Sequence, residues 1–436
     1  MASSDVAMQI PEAERRGTSR RSMVVAAAGT IIEWYDFSLY FYVAPVLTRV
    51  FFGGNEKSLI LTFGVFAAGF LFRPIGAVVF GHLGDKLGRK NTLVISAGLM
   101  AISMWGVAAL PGQATIGVAA GIGLFFFRCL AGFAVGAEYT GILVFLLESA
   151  PAHRRGFATS WAAANSEVGS LLAVGLAAAL SANLSTPQLD SWGWRITFIV
   201  GGAVAAVMIP LRSMLEETVV FQRVKDQGEI VKSPVIDVLR RQPKAVLLAF
   251  LISTVGSVSY FLNISYVPTF LDSVVHRGET DSLALGTIAA AIVIVVTPVI
   301  GYLSDRVGRK PTVLVIAAVL VVSTIPFFWL LSAGSTTRAL VGSVALAIPA
   351  AAWSAVAAST VPEQFAAVGR FTGMAIGYNV ATSLFGGLSP LVATLLIDAT
   401  GLTLAPAIYS TVIVLAAAPM LLLMRETAGR ALPDKV

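Results

Sequence analysis

The chain repeats itself. Residues 81–90 read GHLGDKLGRK and residues 301–310 read GYLSDRVGRK, with Gly, Leu, Asp, Gly, Arg and Lys in the same places of a 436-residue chain. A repeat displaced by about half the length predicts two copies of one unit. Each copy lies directly between two long apolar runs, so it must be a tight, charged turn joining two hydrophobic helices.

Composition sets the surroundings of those helices. Hydrophobic residues make up 56% of the chain and charged residues 12%, about half the charge of an ordinary soluble domain. The chain therefore reads as an integral membrane protein. A net charge of +6 is compatible with a nucleic-acid partner, but its distribution is that of membrane topology, and no nucleic-acid role is expected. The single cysteine, Cys129, lies inside an apolar run, and His82, His153 and His276 fall at scattered loop positions without HxxH or CxxC spacing. No disulfide, metal or cofactor is expected.

Spans of roughly 20 apolar residues are placed at 23–50, 58–81, 92–110, 115–148, 156–182, 194–213, 245–270, 283–303, 312–331, 338–360, 372–397 and 404–424. The expected fold is all-α, with twelve transmembrane helices in two six-helix bundles. Residues 1–22 form a cytoplasmic tail, 23–213 the N-terminal bundle, 214–244 a cytoplasmic linker, 245–424 the C-terminal bundle and 425–436 a second cytoplasmic tail. The tail at 1–22 is polar and ends in arginines, and the apolar run after it is too long, and too charged at Glu33 and Asp36, for a signal peptide. Of the 30 lysines and arginines, 23 fall on the side of the tails, five on the other, and two, Arg73 and Arg128, inside spans. The positive-inside rule thus puts both termini in the cytoplasm.

Charges inside a bilayer are costly, by about 2.5 kcal/mol or more each, and point to function. The first half holds Glu33, Asp36, Arg73, Arg128, Glu138, Glu148 and Glu167; the second half holds none within its spans. This asymmetry predicts charge recognition and proton handling in the first half, with polar and aromatic shaping in the second.

The segments GTIIEWYDFSLY, FRPIGAVVFGHLGDKLGRK, RCLAGFAVGAEYTG, ESAPAHRRGF, VPEQFAAVGRFTGMAIGYN and RETAGRALP resemble the metabolite:proton symporter family of the major facilitator superfamily, over nearly the whole chain. The resemblance implies proton-driven uptake of a small, usually acidic, metabolite by a multi-pass protein of the inner membrane that works as a monomer.

Each candidate residue also has a physical reading. Glu33 and Asp36 lie three apart on a helix, so they can share a cavity, raise each other's proton affinity and titrate together. With Glu138 and Glu167 they form the expected proton-coupling set. Arg128 reaches the middle of the membrane and is the expected anchor for a substrate carboxylate, gripped through two parallel hydrogen bonds, unless it pairs with Glu138 or Glu167. Glu138, ten residues on, is about 15 Å from Arg128 and expected to be free to hold a proton. Arg73 and Tyr35 join the substrate-binding set. Ser253, Ser257, Tyr260 and Asn263 form a polar strip on one helix face, and Tyr378, Asn379 and Thr382 another, with Trp353 between them in sequence; these lines are expected to face the cavity or to bond neighbouring helices. Gly132 and Gly136 are expected as close-packing points.

The charged turns read as gates. Asp85 and Arg89, with Glu148 and Arg155, and Asp305 and Arg309, with Glu363, Arg370 and Glu426, are expected to hold the cytoplasmic ends together when the cavity faces outward. No nucleophile–base pair or cofactor loop suggests an enzyme. The organic anion and proton are thus the expected partners, with the lipid bilayer. A proline or betaine symporter is the alternative, set second because few residues follow 424, and a drug:proton antiporter is less favoured because buried arginines repel cations.

Overall fold

In the computed structural model, backbone is described for residues 20–54, 56–87, 89–136, 138–214, 234–366 and 369–432, and side chains for these apart from 20–28, 56, 57, 81–87, 89, 90, 92, 149 and 234. The described residues are helical, with no strand among them. In the first stretch run α1 (Arg20–Tyr42), α2 (Ala44–Phe52), α3 (Glu56–Leu71), α4 (Arg73–Leu87), α5 (Arg89–Ala109), α6 (Ala119–Val135), α7 (Glu138–Ser149), α8 (Arg155–Asn183) and α9 (Trp194–Ser213). In the second run α10 (Pro234–Arg241), α11 (Pro243–Tyr260), α12 (Val267–Ser273), α13 (Glu279–Val307), α14 (Arg309–Leu331), α15 (Thr336–Glu363), α16 (Arg370–Ala381), α17 (Ser389–Thr400) and α18 (Ala405–Leu421).

Nine helical segments among the described residues are long and apolar enough to cross a membrane. Their surface bears large side chains such as Ile122, Phe126, Val295, Val322 and Trp329, each at least 60% exposed. A contiguous apolar exterior is stable only against lipid, whereas the interior here holds the charges: Glu33, Asp36, Arg73, Arg128, Glu167 and Arg309 are each 2% exposed or less.

Prolines and glycines shape the helices where they matter. Pro268 and Pro390 lack the N–H of a regular turn, and the chain ahead of each widens into a π-helical turn, Phe261–Ser265 and Thr382–Gly387. Gly132 and Gly136 of α6 lie against the backbone of Gly69, Arg73 and Gly76, so α6 packs on α3 and α4 with no side chain between them. α8 and α13 make the most extensive helix pairing, between the two stretches. Within 214–244, Pro234–Arg241 is a strongly two-faced helix whose buried Val238 packs on Gly369 and Gly373, and α11 starts at Pro243. Residues 1–19 and 215–233 lie outside the described residues.

Candidate functional site

α1, α7, α8, α11, α15 and α16 surround a central cavity. Trp34, Tyr139, Ser166, Glu167, Ser253, Ser257, Tyr260, Phe261, Trp353, Tyr378 and Thr382 supply its polar and aromatic lining. Glu167 is the one acid or base in that lining, tyrosines aside. Its Oε2 accepts a hydrogen bond of 3.2 Å from the Tyr260 hydroxyl. The rings interlock: Trp34 meets Tyr260 edge-on with centroids 4.8 Å apart, and Tyr139 and Tyr378 lie at 5.2 Å. The Trp353 indole N–H donates to the Ile252 carbonyl at 2.9 Å, which fixes its ring on the cavity wall. Ser257 and Thr382 bond across it at 3.1 Å. The two π-helical turns place Phe261 and Thr382 in this lining.

The arginines expected to anchor a carboxylate stand elsewhere. Arg73 donates to Glu33 at 2.8 Å, and Arg128 to both oxygens of Asp36 at 2.9 and 2.8 Å. Phe37 lies between the two guanidinium groups, 4.7 Å from that of Arg73 and 5.8 Å from that of Arg128, with Tyr40 also over Arg128 at 4.8 Å. None of these four charges lines the cavity. Glu33 and Asp36 therefore do not share it as a pair: a three-residue step turns them apart, and each takes its own arginine. Arg128 is engaged by Asp36, not by Glu138 or Glu167.

Glu138 is not free either. It forms a buried ion pair with Arg212, and Ser96 donates to its Oε2 at 3.3 Å. Arg212 also donates to the Leu93 carbonyl at 3.0 Å. Arg212 lies inside the span drawn to residue 213, and a basic residue within apolar limits was the signal for it in the sequence.

The remaining candidates divide by where their polar atoms go. Ser257, Tyr260 and Tyr378 line the cavity. Tyr35 does not: its hydroxyl donates to the Thr197 carbonyl at 2.7 Å, which ties α1 to α9. Asn263 sits in the π-helical turn, 0% exposed and outside the lining. Asn379 donates 2.8 Å bonds to the carbonyls of Gly136 and Ala375, so it joins helices instead of meeting solvent.

At the end of the molecule carrying the second charged turn, Asp305 accepts hydrogen bonds from the backbone N–H groups of Gly156 and Phe157, both at 2.8 Å. Its carboxylate thus caps the start of α8 across the two stretches, where free N–H groups and the helix dipole favour negative charge. Arg309 holds Asp305 at 2.7 Å and Glu363 at 3.1 Å. Gly308 adopts a left-handed φ of 110°, and a side chain there would meet the Glu426 carboxylate at 2.7 Å. Glu426 in turn accepts from the N–H groups of Arg309 and Lys310 at 2.9 and 3.0 Å. Arg370 does not join this cluster: it pairs with Glu148 at 2.7 Å across the stretches. Arg155 bonds the Arg430 carbonyl at 2.8 Å, not an acid. The side chains of Asp85 and Arg89 lie outside the described residues. At the opposite end Arg49 pairs with Asp190 at 2.8 Å and reaches Glu279 of the second stretch at 3.4 Å.

Comparison with known proteins adds the following. The family described as Major Facilitator Superfamily matches residues 26–379. The chain is 32% identical over 427 residues to the proline/betaine transporter of Escherichia coli (strain K12), covering 95% of this chain and 85% of that one. It is 31% identical over 424 residues to the ectoine/proline transporter of Corynebacterium glutamicum, covering 93% and 83%. The solved structure of the proton:xylose symporter XylE with a bound bromodeoxyglucose superposes with a TM-score of 0.74 at 19% identity, covering 94% of this chain and 97% of that one. That last likeness is one of fold.

Proposed function

The chain belongs to the Major Facilitator Superfamily, and on that premise we propose that it is a proton-coupled symporter taking up a small zwitterionic osmolyte of the proline or betaine kind. The observation that carries this reading is the makeup of the central cavity: one carboxylate, Glu167, among Trp34, Tyr139, Tyr260, Trp353 and Tyr378, with no arginine or lysine in the lining. Aromatic faces attract a quaternary or secondary ammonium by about 0.5–2 kcal/mol each, more when water is excluded. A carboxylate beside them completes a site for the positive end of a zwitterion. The same cavity suits a di- or tricarboxylate poorly, because each added negative charge would face Glu167 without a cation. The names of the relatives at 31–32% identity point the same way. The organic-acid expectation, which rested on Arg73 and Arg128 reaching the substrate, is therefore set aside.

In this reading the chain crosses the inner membrane twelve times. Two six-helix bundles, 23–213 and 245–424, enclose the cavity, and both termini lie on the cytoplasmic side. The end held by Asp305, Arg309, Glu148 and Arg370 is the cytoplasmic gate, and the protein acts as a monomer. Alternating access follows when those contacts and the Arg49–Glu279 contact break in turn.

Thermal stabilisation of the purified protein tests the substrate class, since a ligand that binds only the folded state raises its melting temperature. Proline, glycine betaine or ectoine is expected to raise it, and citrate and α-ketoglutarate to leave it unchanged. Stabilisation by the carboxylates alone would overturn the zwitterion reading.

A further inference from the structure

Glu33 and Glu138 face a second void, apart from the cavity of Glu167. It is small, with room for about one water, and Gly29, Glu33, Ala97, Glu138, Ala205 and Arg212 are among the residues around it. One oxygen of Glu33 accepts from Arg73; the other, Oε2, is buried without a hydrogen-bond partner. A bare carboxylate oxygen inside a membrane protein is costly unless it carries a proton or meets water. The void offers the second remedy, because a buried water needs space and two or more polar partners, and Glu33, Glu138 and Arg212 all line it. Gly29 makes the arrangement possible: a Cβ at that position would lie 2.6 Å from a guanidinium nitrogen of Arg212 and 3.0 Å from Glu138.

The void also has a direction. Arg212 donates to the carbonyl of Leu93, close to the start of α5, which follows the first charged turn. None of Glu33, Glu138 and Arg212 lines the central cavity. We propose that this void is a hydrated proton-holding site, separate from the substrate, that carries the coupling proton from Glu33 through water to Glu138 and out at the end of the charged turns. The inference rests on the symport reading and assigns its proton a place. The step balances: the Glu33 carboxylic acid gives its proton to the water, the water gives one to the Glu138 carboxylate, and Glu138 releases it to solvent. Glu33 is left ionised beside Arg73, and Glu138 beside Arg212. The other titratable groups facing Glu33 are Tyr139 and Tyr378, on the cavity side.

Reconstituted protein separates the two functions. In liposomes, exchange of labelled proline against unlabelled proline needs the substrate cavity alone, whereas accumulation under an imposed proton gradient also needs the proton route. Glu33→Gln and Glu138→Gln are expected to keep exchange and to lose accumulation. Ala205→Leu, which fills the void and removes no ionisable group, is expected to slow accumulation and spare exchange. In infrared difference spectra of the purified protein, acidification is expected to produce a protonated-acid band that Glu33→Gln removes and that Ala205→Leu shifts by expelling water. Gradient-driven accumulation at the parental level in both glutamine variants, or a band indifferent to Glu33→Gln and Ala205→Leu, would overturn the proposal. A parent protein that shows the band yet moves neither proline nor glycine betaine would instead overturn the symport reading and leave the proton site standing.

Discussion

In the proposed reading, substrate choice turns on Glu167. It is 1% exposed and, among the described residues, accepts a side-chain hydrogen bond from the Tyr260 hydroxyl, so an ammonium entering the cavity finds a carboxylate that no arginine has neutralised. A charge-assisted contact of this kind contributes about 1.5–3 kcal/mol. Glu167→Gln is therefore expected to weaken binding of proline or betaine by about ten- to a hundredfold, measured by titration calorimetry, with the folded melting temperature of the free protein retained. Glu426 makes a different prediction, about pH. Burial raises its proton affinity, but four backbone N–H groups, of Ala428, Arg309, Lys310 and Thr427, outweigh that and hold the carboxyl below the usual glutamate range. A group whose folded pKa is depressed stabilises the protein above its unfolded pKa and loses that contribution as the pH falls through the folded value. The melting temperature should accordingly drop on acidification, and Glu426→Gln should flatten the part of that drop that belongs to this carboxylate; an unchanged acid profile in the variant would remove Glu426 from the account.

The helices explain why these residues meet. α8 and α13 approach so closely that a Cβ at Gly301 would lie 2.6 Å from the Gly156 carbonyl oxygen and collide with the Ser160 side chain. Gly301 is the first glycine of the second charged turn, and its role is steric: it lets Asp305 reach the N–H groups at the start of α8. Gly301→Ala is predicted to part the two helices and favour the state open at this end. A cysteine placed at the cavity residue Ser354 should then react several-fold faster with a thiol reagent supplied from that side, whereas unchanged reactivity would show that the contact is not a gate. The turn itself was legible in the sequence, because spacing and repetition survive without coordinates. The partners were not: Arg370 was expected near Arg309 and lies with Glu148, and Arg155 was expected near an acid and lies on a carbonyl. Which helix end faces which is set by packing between segments more than 100 residues apart, and no local pattern encodes that. The π-helical turns had a faint signal in Pro268 and Pro390, which a span-by-span hydropathy scan passes over.

For the molecule as a whole, composition and the repeat carried the fold class, and the comparison with XylE at a TM-score of 0.74 bears out the all-helical major facilitator fold. Most of the inventory of buried charges was also legible, since Glu33, Asp36, Arg73, Arg128, Glu138 and Glu167 lie inside, whereas Glu148 is exposed and the buried Arg212 was not counted among them. Their pairing was not, and pairing carries the proposed function. Because Arg73 and Arg128 are satisfied by Glu33 and Asp36, the cavity is left to Glu167 and a set of aromatic rings, and the expected substrate moves from an anion to a zwitterion. The three buried ion pairs Glu33–Arg73, Asp36–Arg128 and Glu138–Arg212 would be an expensive way to fill a core for stability alone; the proposed proton coupling gives them a use. Uptake of labelled glycine betaine by liposomes holding the purified protein, with an inward proton gradient imposed and then collapsed by an uncoupler, tests this most directly. The account predicts accumulation that requires the gradient and stops with the uncoupler. Accumulation of citrate in place of glycine betaine, or uptake of glycine betaine indifferent to the gradient, would contradict it.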